Sequence, residues 1–88
     1  MATLYMTDGR SIPVTPDNGT DFSLEELQSF VGGFIEILPI GDKLLVCNEE
    51  GKLLRLPLND KATLIANKYY TGDYIVGNAL VCDNNQIK

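Results

Sequence analysis

Eighty-eight residues with seven basic and twelve acidic side chains, a net charge of −5 and no histidine specify one domain with a modest core. An apolar share of 44%, with four prolines and eight glycines, places the chain among globular sequences and excludes a disordered one. The basic residues Arg10, Lys43, Lys52, Arg55, Lys61, Lys68 and Lys88 are scattered, which argues against the positive footprint that duplex nucleic acid requires. The acids are too dispersed for more than a thin mimic of DNA charge. Met1–Asp8 carries neither a basic region nor a long apolar stretch, so no signal peptide is expected. No run approaches the roughly 18 apolar residues of a membrane span, and a cytoplasmic location is expected.

In chain order, residues 3–6 and 11–14 flank Asp8-Gly9, a turn dipeptide that predicts a tight hairpin. Pro16-Asp17-Asn18-Gly19 is a second turn, leading into a helix. Ser23 is placed to cap that helix, with Glu26 three residues on to complete a capping box and Phe22 and Leu27 to form a hydrophobic staple. Leu24, Leu27, Phe30 and Val31 give an apolar stripe at helical spacing, and Gly32 supplies a left-handed stop. Residues 34–40 read as a strand, turned at Gly41-Asp42 into a second over 44–47. After Asn48-Glu49-Glu50-Gly51, residues 52–56 read as the third strand of a meander, which Pro57 ends. Asn59 is an N-cap for a second helix over 60–67, with Ala62, Ile65 and Ala66 inward. A loop over 68–73, a closing strand over 74–83 and a short tail over 84–88 follow. The expected fold is α+β, mainly antiparallel sheet with two short helices in the order β-β-α-β-β-β-α-β, as a single domain over residues 1–88.

The expected strands are apolar on both faces. Ile75, Ala79 and Val81 alternate with Val76, Leu80 and Cys82, and 44–47 is apolar throughout. Such runs belong to strands buried on both sides, and two short helices leave cover to be found. A homo-oligomer, at least a dimer, is the simplest source of that cover.

The run Phe22-Ser-Leu-Glu-Glu-Leu-Gln-Ser-Phe-Val-Gly-Gly-Phe-Ile-Glu36 resembles a family of small uncharacterised proteins found in phages, mobile elements and gut bacteria. The likeness continues through Asn48-Glu-Glu-Gly51, Leu56-Pro-Leu-Asn59, Ala62-Thr63, Asp73-Tyr-Ile-Val-Gly77 and Ala79-Leu-Val-Cys82, spanning about residues 22–83. It implies a single α+β domain in a phage or mobile-element setting, and no established enzyme activity.

The residues themselves offer little for catalysis. Without histidine the usual acid–base group near neutral pH is missing. Glu25 and Glu26 serve capping, and Glu49 and Glu50 a solvated turn. No nucleotide-loop or metal-ligand spacing occurs, so neither metal nor cofactor is expected. Cys47 and Cys82 read as buried free thiols, with a disulfide open only if their strands are neighbours. Gly77, inside a strand pattern, marks a bulge or a close approach, and Asn78 needs a partner if buried.

Binding has more to work with. Tyr69 and Tyr70 can stack on a planar ring, while Arg55, Asn59 and Lys61 can meet phosphates near the start of the second helix. The leading expectation is a non-enzymatic homo-oligomer that sequesters a small anionic, nucleotide-derived host immune signal. The alternative is an acidic interaction module that binds and inhibits a host protein, resting on Glu25, Glu26, Glu49 and Glu50.

Overall fold

Two of the expected hairpins close through their own turn chemistry in the computed structural model, which describes residues 1–87. Strands β1 (Ala2–Tyr5) and β2 (Ser11–Val14) pair antiparallel, with Ala2 opposite Val14 and Tyr5 opposite Ser11. Strands β3 (Ile35–Ile40) and β4 (Lys43–Asn48) pair from Ile35 opposite Asn48 to Ile40 opposite Lys43. The last strand, β5 (Ala79–Asp83), lies between the two hairpins and pairs antiparallel with both β1 and β4. The sheet order is therefore β2-β1-β5-β4-β3.

Helix α1 (Leu24–Val31) begins as its sequence specifies. The Ser23 hydroxyl accepts from the Glu26 N–H at 3.1 Å, and the Glu26 carboxylate accepts from the Ser23 N–H at 2.9 Å. It ends on Gly32 at φ 79°, a conformation that costs glycine little and other residues more. Its buried face packs Phe22, Leu27 and Val31 on Ala2, Leu4, Val46, Leu80 and Cys82. Helix α2 (Asp60–Asn67) covers the opposite face, with Ala62 and Ala66 against Leu45, Cys47, Ile75 and Ala79. Alternate residues of β4 and β5 thus serve different helices. Their continuous apolar runs are covered on both sides within one chain, and the central strands need no second copy.

The fold class is as expected, but three spans differ. Residues 52–56 form turns, not a strand. The Leu54 N–H donates to the Glu50 carbonyl at 2.9 Å, and the Leu56 N–H donates to Gly51 at 3.0 Å. These local bonds close one helical turn, and short apolar runs such as Leu53-Leu54 cannot distinguish that from a strand. Beyond that turn, strand pairing contracts to an isolated bridge between Leu58 and Val76.

The closing strand starts at Ala79 instead of 74. The main chain before it is claimed by a polar stripe on α2. Asn67 Nδ2 donates to the Asp73 carbonyl at 2.9 Å, Thr63 Oγ1 accepts from the Ile75 N–H at 2.9 Å, and Asn59 Nδ2 donates to the Gly77 carbonyl at 2.9 Å. Gly77 sits at φ 76°, where an added Cβ would meet Leu56 Cδ1 at 2.8 Å, so it marks a close approach. Asn78 finds its partner in the Thr7 N–H at 3.1 Å. The expected tail holds a 3-10 turn, Asn84–Gln86, tied to the start of α1 by the Phe22 N–H donating to Gln86 at 2.7 Å. Lys88 lies outside the described residues.

Both sheet edges are blunted. Glu49 N–H donates to the Phe34 carbonyl, and this fixes the alternation along β3 so that the nitrogen of Pro39 faces outward. The Pro39 carbonyl is capped by the Tyr70 hydroxyl at 2.7 Å. Pro13 occupies the matching outward position on β2. Proline cannot donate to an added strand, which protects the edge. Among the described residues no helix is long and apolar enough to cross a membrane.

Two predictions follow from these contacts. Asn59, 1% exposed, also accepts from the Ala62 N–H and donates to the Tyr5 carbonyl. Asn59→Ala removes the cap and orphans two carbonyls, and should cost about 3 kcal/mol in a urea unfolding series.

The second concerns acid. Lys43 and the N-terminal ammonium hold the exposed Asp83 carboxyl down to about 2, from an ordinary 3.8. A depressed folded pKa means its stabilisation is complete above the ordinary value and is lost as pH falls towards about 2. Asp83→Asn should flatten the acid limb of the stability curve across that window.

Candidate functional site

The five residues expected to hold a ligand are tied to separate tasks. Asn59 is the buried cap described above. Lys61 Nζ donates to the Gly9 carbonyl at 2.8 Å and to Ser11 Oγ at 3.2 Å, anchoring the β1–β2 turn. Tyr70 caps the β3 edge. Arg55 is exposed on the turn at 51–55, and Tyr69 lines a cleft of its own. Asn59 and Lys61 mark the start of α2 and the tyrosines lie beyond its end. Eight helical residues separate them by about 12 Å at ~1.5 Å per residue.

The Tyr69 cleft brings two tyrosines together with two lysines. It encloses about 370 Å³ on the α2 side of the sheet, at the β3–β4 turn. Tyr5 enters it from β1, Lys43 and Asp42 from the β3–β4 turn, and Lys68 and Tyr69 from the end of α2, over a floor of Ile40 and Val81. Lys43 pairs with Asp83 at 2.7 Å, which raises its pKa above the ordinary value. Lys68 has no ion-pair partner among the described residues. The cleft gathers two tyrosines, the Asp42 carboxylate, the paired Lys43 and a Lys68 ammonium without an ion pair, groups able to stack and to supply charge.

Sequence reading found Tyr69 and missed Tyr5, Lys43 and Lys68. Lys68 was legible as the neighbour of Tyr69. Tyr5 and Lys43 reach the cleft only because β5 inserts between the two hairpins, a non-local pairing without a local signal.

A second cleft, of about 250 Å³, opens at the other end of the β3–β4 hairpin. Lys52 Nζ lies 3.1 Å from Asp73 Oδ1 and 4.1 Å from the centre of the Tyr74 ring. The pair raises the Lys52 pKa and lowers that of Asp73. Cys47 lies at the back, its thiol 3.8 Å from Glu36. Burial and then the Glu36 charge push that thiol up to about 12, so it stays protonated and a poor nucleophile. Burial likewise raises Cys82 to about 11. The two thiols lie on neighbouring strands, but Cys47 packs beneath α2 and Cys82 beneath α1, so both are free. Among the described residues no three His, Cys, Asp or Glu side chains gather as a metal site.

A family model described as a domain of unknown function (DUF3846) matches residues 1–87. No curated protein and no solved structure matches the chain.

Arg55 is the one non-glycine residue among those described with a positive φ, 55°. It follows a single helical turn, where its N–H donates to Lys52 at 3.2 Å and the Leu56 N–H reaches Gly51. Glycine is the usual occupant of that position. Arg55→Gly should therefore raise the free energy of unfolding by about 1 kcal/mol, measured as a higher urea midpoint.

Proposed function

The chain belongs to the DUF3846 family, and we propose that it works without catalysis, holding a small anionic molecule with a planar ring in the Tyr5–Tyr69 cleft. The observation that carries this reading is the convergence of two tyrosines with Lys43 and Lys68 around about 370 Å³. That volume falls within the roughly 300–1,000 Å³ of small-molecule sites. Tyr69 supplies the stacking face, and Lys68 the counter-charge. Two further facts support binding over reaction: the sequence has no histidine, and both thiols titrate far above neutral pH. A nucleotide-derived compound has both the ring and the anion that the cleft matches. In the phage or mobile-element setting implied by the sequence resemblance, stoichiometric capture of a host immune signal gives such binding a purpose.

Native mass spectrometry of the protein with cyclic and ADP-ribose-derived nucleotides tests the reading. The expected result is one class of nucleotide retained in fixed ratio with its mass unchanged. The same spectra read whether the expected homo-oligomer, at least a dimer, forms. Tyr69→Ala should weaken retention by about 1–3 kcal/mol, the value of stacking on one base. Retention of no nucleotide, or equal retention by the Tyr69→Ala protein, would overturn the proposal.

A further inference from the structure

We infer that the corner built from β3, the turns at 49–55 and the segment at 73–76 is a docking surface for a protein partner that presents a basic side chain flanked by apolar ones. The surface is distinct from the tyrosine cleft, which lies at the other end of the β3–β4 hairpin.

The argument begins with the turn that replaced the expected strand. A strand would bury one of two adjacent leucines. The turn exposes both, Leu53 at 83% and Leu54 at 57%. Scattered exposed leucines are ordinary on a protein surface. These two stand between two clefts that meet at Asn48. The first is the 250 Å³ cleft bounded by Leu53 and Tyr74, and the second, of about 300 Å³, is bounded by Leu54 and Phe34. Phe34 is itself 62% exposed, so apolar surface continues across the corner. Neither helix covers it.

The surface is also preformed. Asn48 donates to the Val31 carbonyl at 3.1 Å and accepts from the Glu50 N–H at 2.8 Å, which fixes the ridge between the clefts. A rigid apolar corner lowers the ordering cost of association.

Size and charge select the occupant. A volume of 250 Å³ lies below the roughly 300 Å³ lower bound for small-molecule sites and suits one anchoring side chain of a partner. Glu36, Glu49 and Glu50 edge the two clefts without an ion pair among the described residues, while Lys52 is already paired with Asp73. Lys52 fills the seat between Asp73 and the Tyr74 ring, which leaves Glu36, Glu49 and Glu50 to meet a partner's lysine or arginine. A second copy would bring the same acids to the contact, in a chain of net charge −5. Charge complementarity therefore points to a basic partner.

The test uses the whole protein in a 15N NMR titration with a synthetic peptide alternating leucine and arginine, and with its citrulline counterpart. The arginine peptide should shift the amides of Cys47, Asn48, Lys52, Leu53 and Tyr74 saturably. The citrulline peptide should bind about tenfold more weakly or less well still. Leu53→Ser with Leu54→Ser, both exposed and so expected to leave the fold intact, should weaken the arginine peptide by at least about tenfold. Tyr69→Ala should leave its binding unchanged, which separates this proposal from the nucleotide cleft. Equal binding of the citrulline peptide, shifts confined to other residues or no shifts at all would overturn the inference. Sedimentation showing self-association that the leucine pair abolishes would also overturn it, in favour of a second copy.

Discussion

The Asn59 side chain ties α2, the end of β1 and the approach to β5 to one another. Its oxygen caps α2, while its nitrogen donates to the Tyr5 carbonyl at the end of β1 and to the Gly77 carbonyl before β5. Three elements distant in sequence are thus fixed by one buried amide with its donors fully engaged. In a water-excluded site such bonds strengthen, and leaving one unmade is correspondingly costly. Thr63 and Asn67 extend the pattern at four-residue spacing, so one face of α2 binds the main chain from 72 to 77. That stripe keeps 74–78 out of the sheet.

The division of the molecule follows from this arrangement. The polar stripe holds the 72–77 segment beside α2, and Ala62 and Ala66 let the helix pack closely on Leu45, Cys47 and Ala79. A short helix of small residues covers the middle of its face and leaves both ends open. One end becomes the tyrosine cleft, and the other the corner of Leu53 and Tyr74. On the α1 face Phe22, Leu27, Phe30 and Val31 fill the middle, with Phe22 and Phe30 edge to face at 5.8 Å.

The parts legible in the sequence were those decided by neighbours in the chain. The capping box at Ser23, the left-handed stop at Gly32 and the bounds of α2 from its Asn59 cap each depend on contacts within a few residues. The hairpin turns were legible for the same reason. Residues 52–56 were not, because an apolar pair inside a turn and an apolar pair inside a strand look alike locally. The start of β5 was missed because main-chain groups of 73–77 are satisfied by the side chains of Asn59, Thr63 and Asn67, a pairing with no local signal.

The sequence by itself determined an α+β chain, two helices with their caps, the hairpins and a composition poor in acid–base and metal chemistry. Each is a local property, fixed by hydrogen bonds and hydrophobic spacing within one element. The tertiary structure alone decided that the two helices take opposite faces, which covers the central strands without a second copy. It also decided that Tyr5, Lys43, Lys68 and Tyr69 share a cleft, and that Cys47 and Cys82 stand on neighbouring strands yet face apart. These depend on β5 entering between β1 and β4, a pairing between residues far apart in the chain. Its energy comes from burial on both faces at once, which no window of sequence contains.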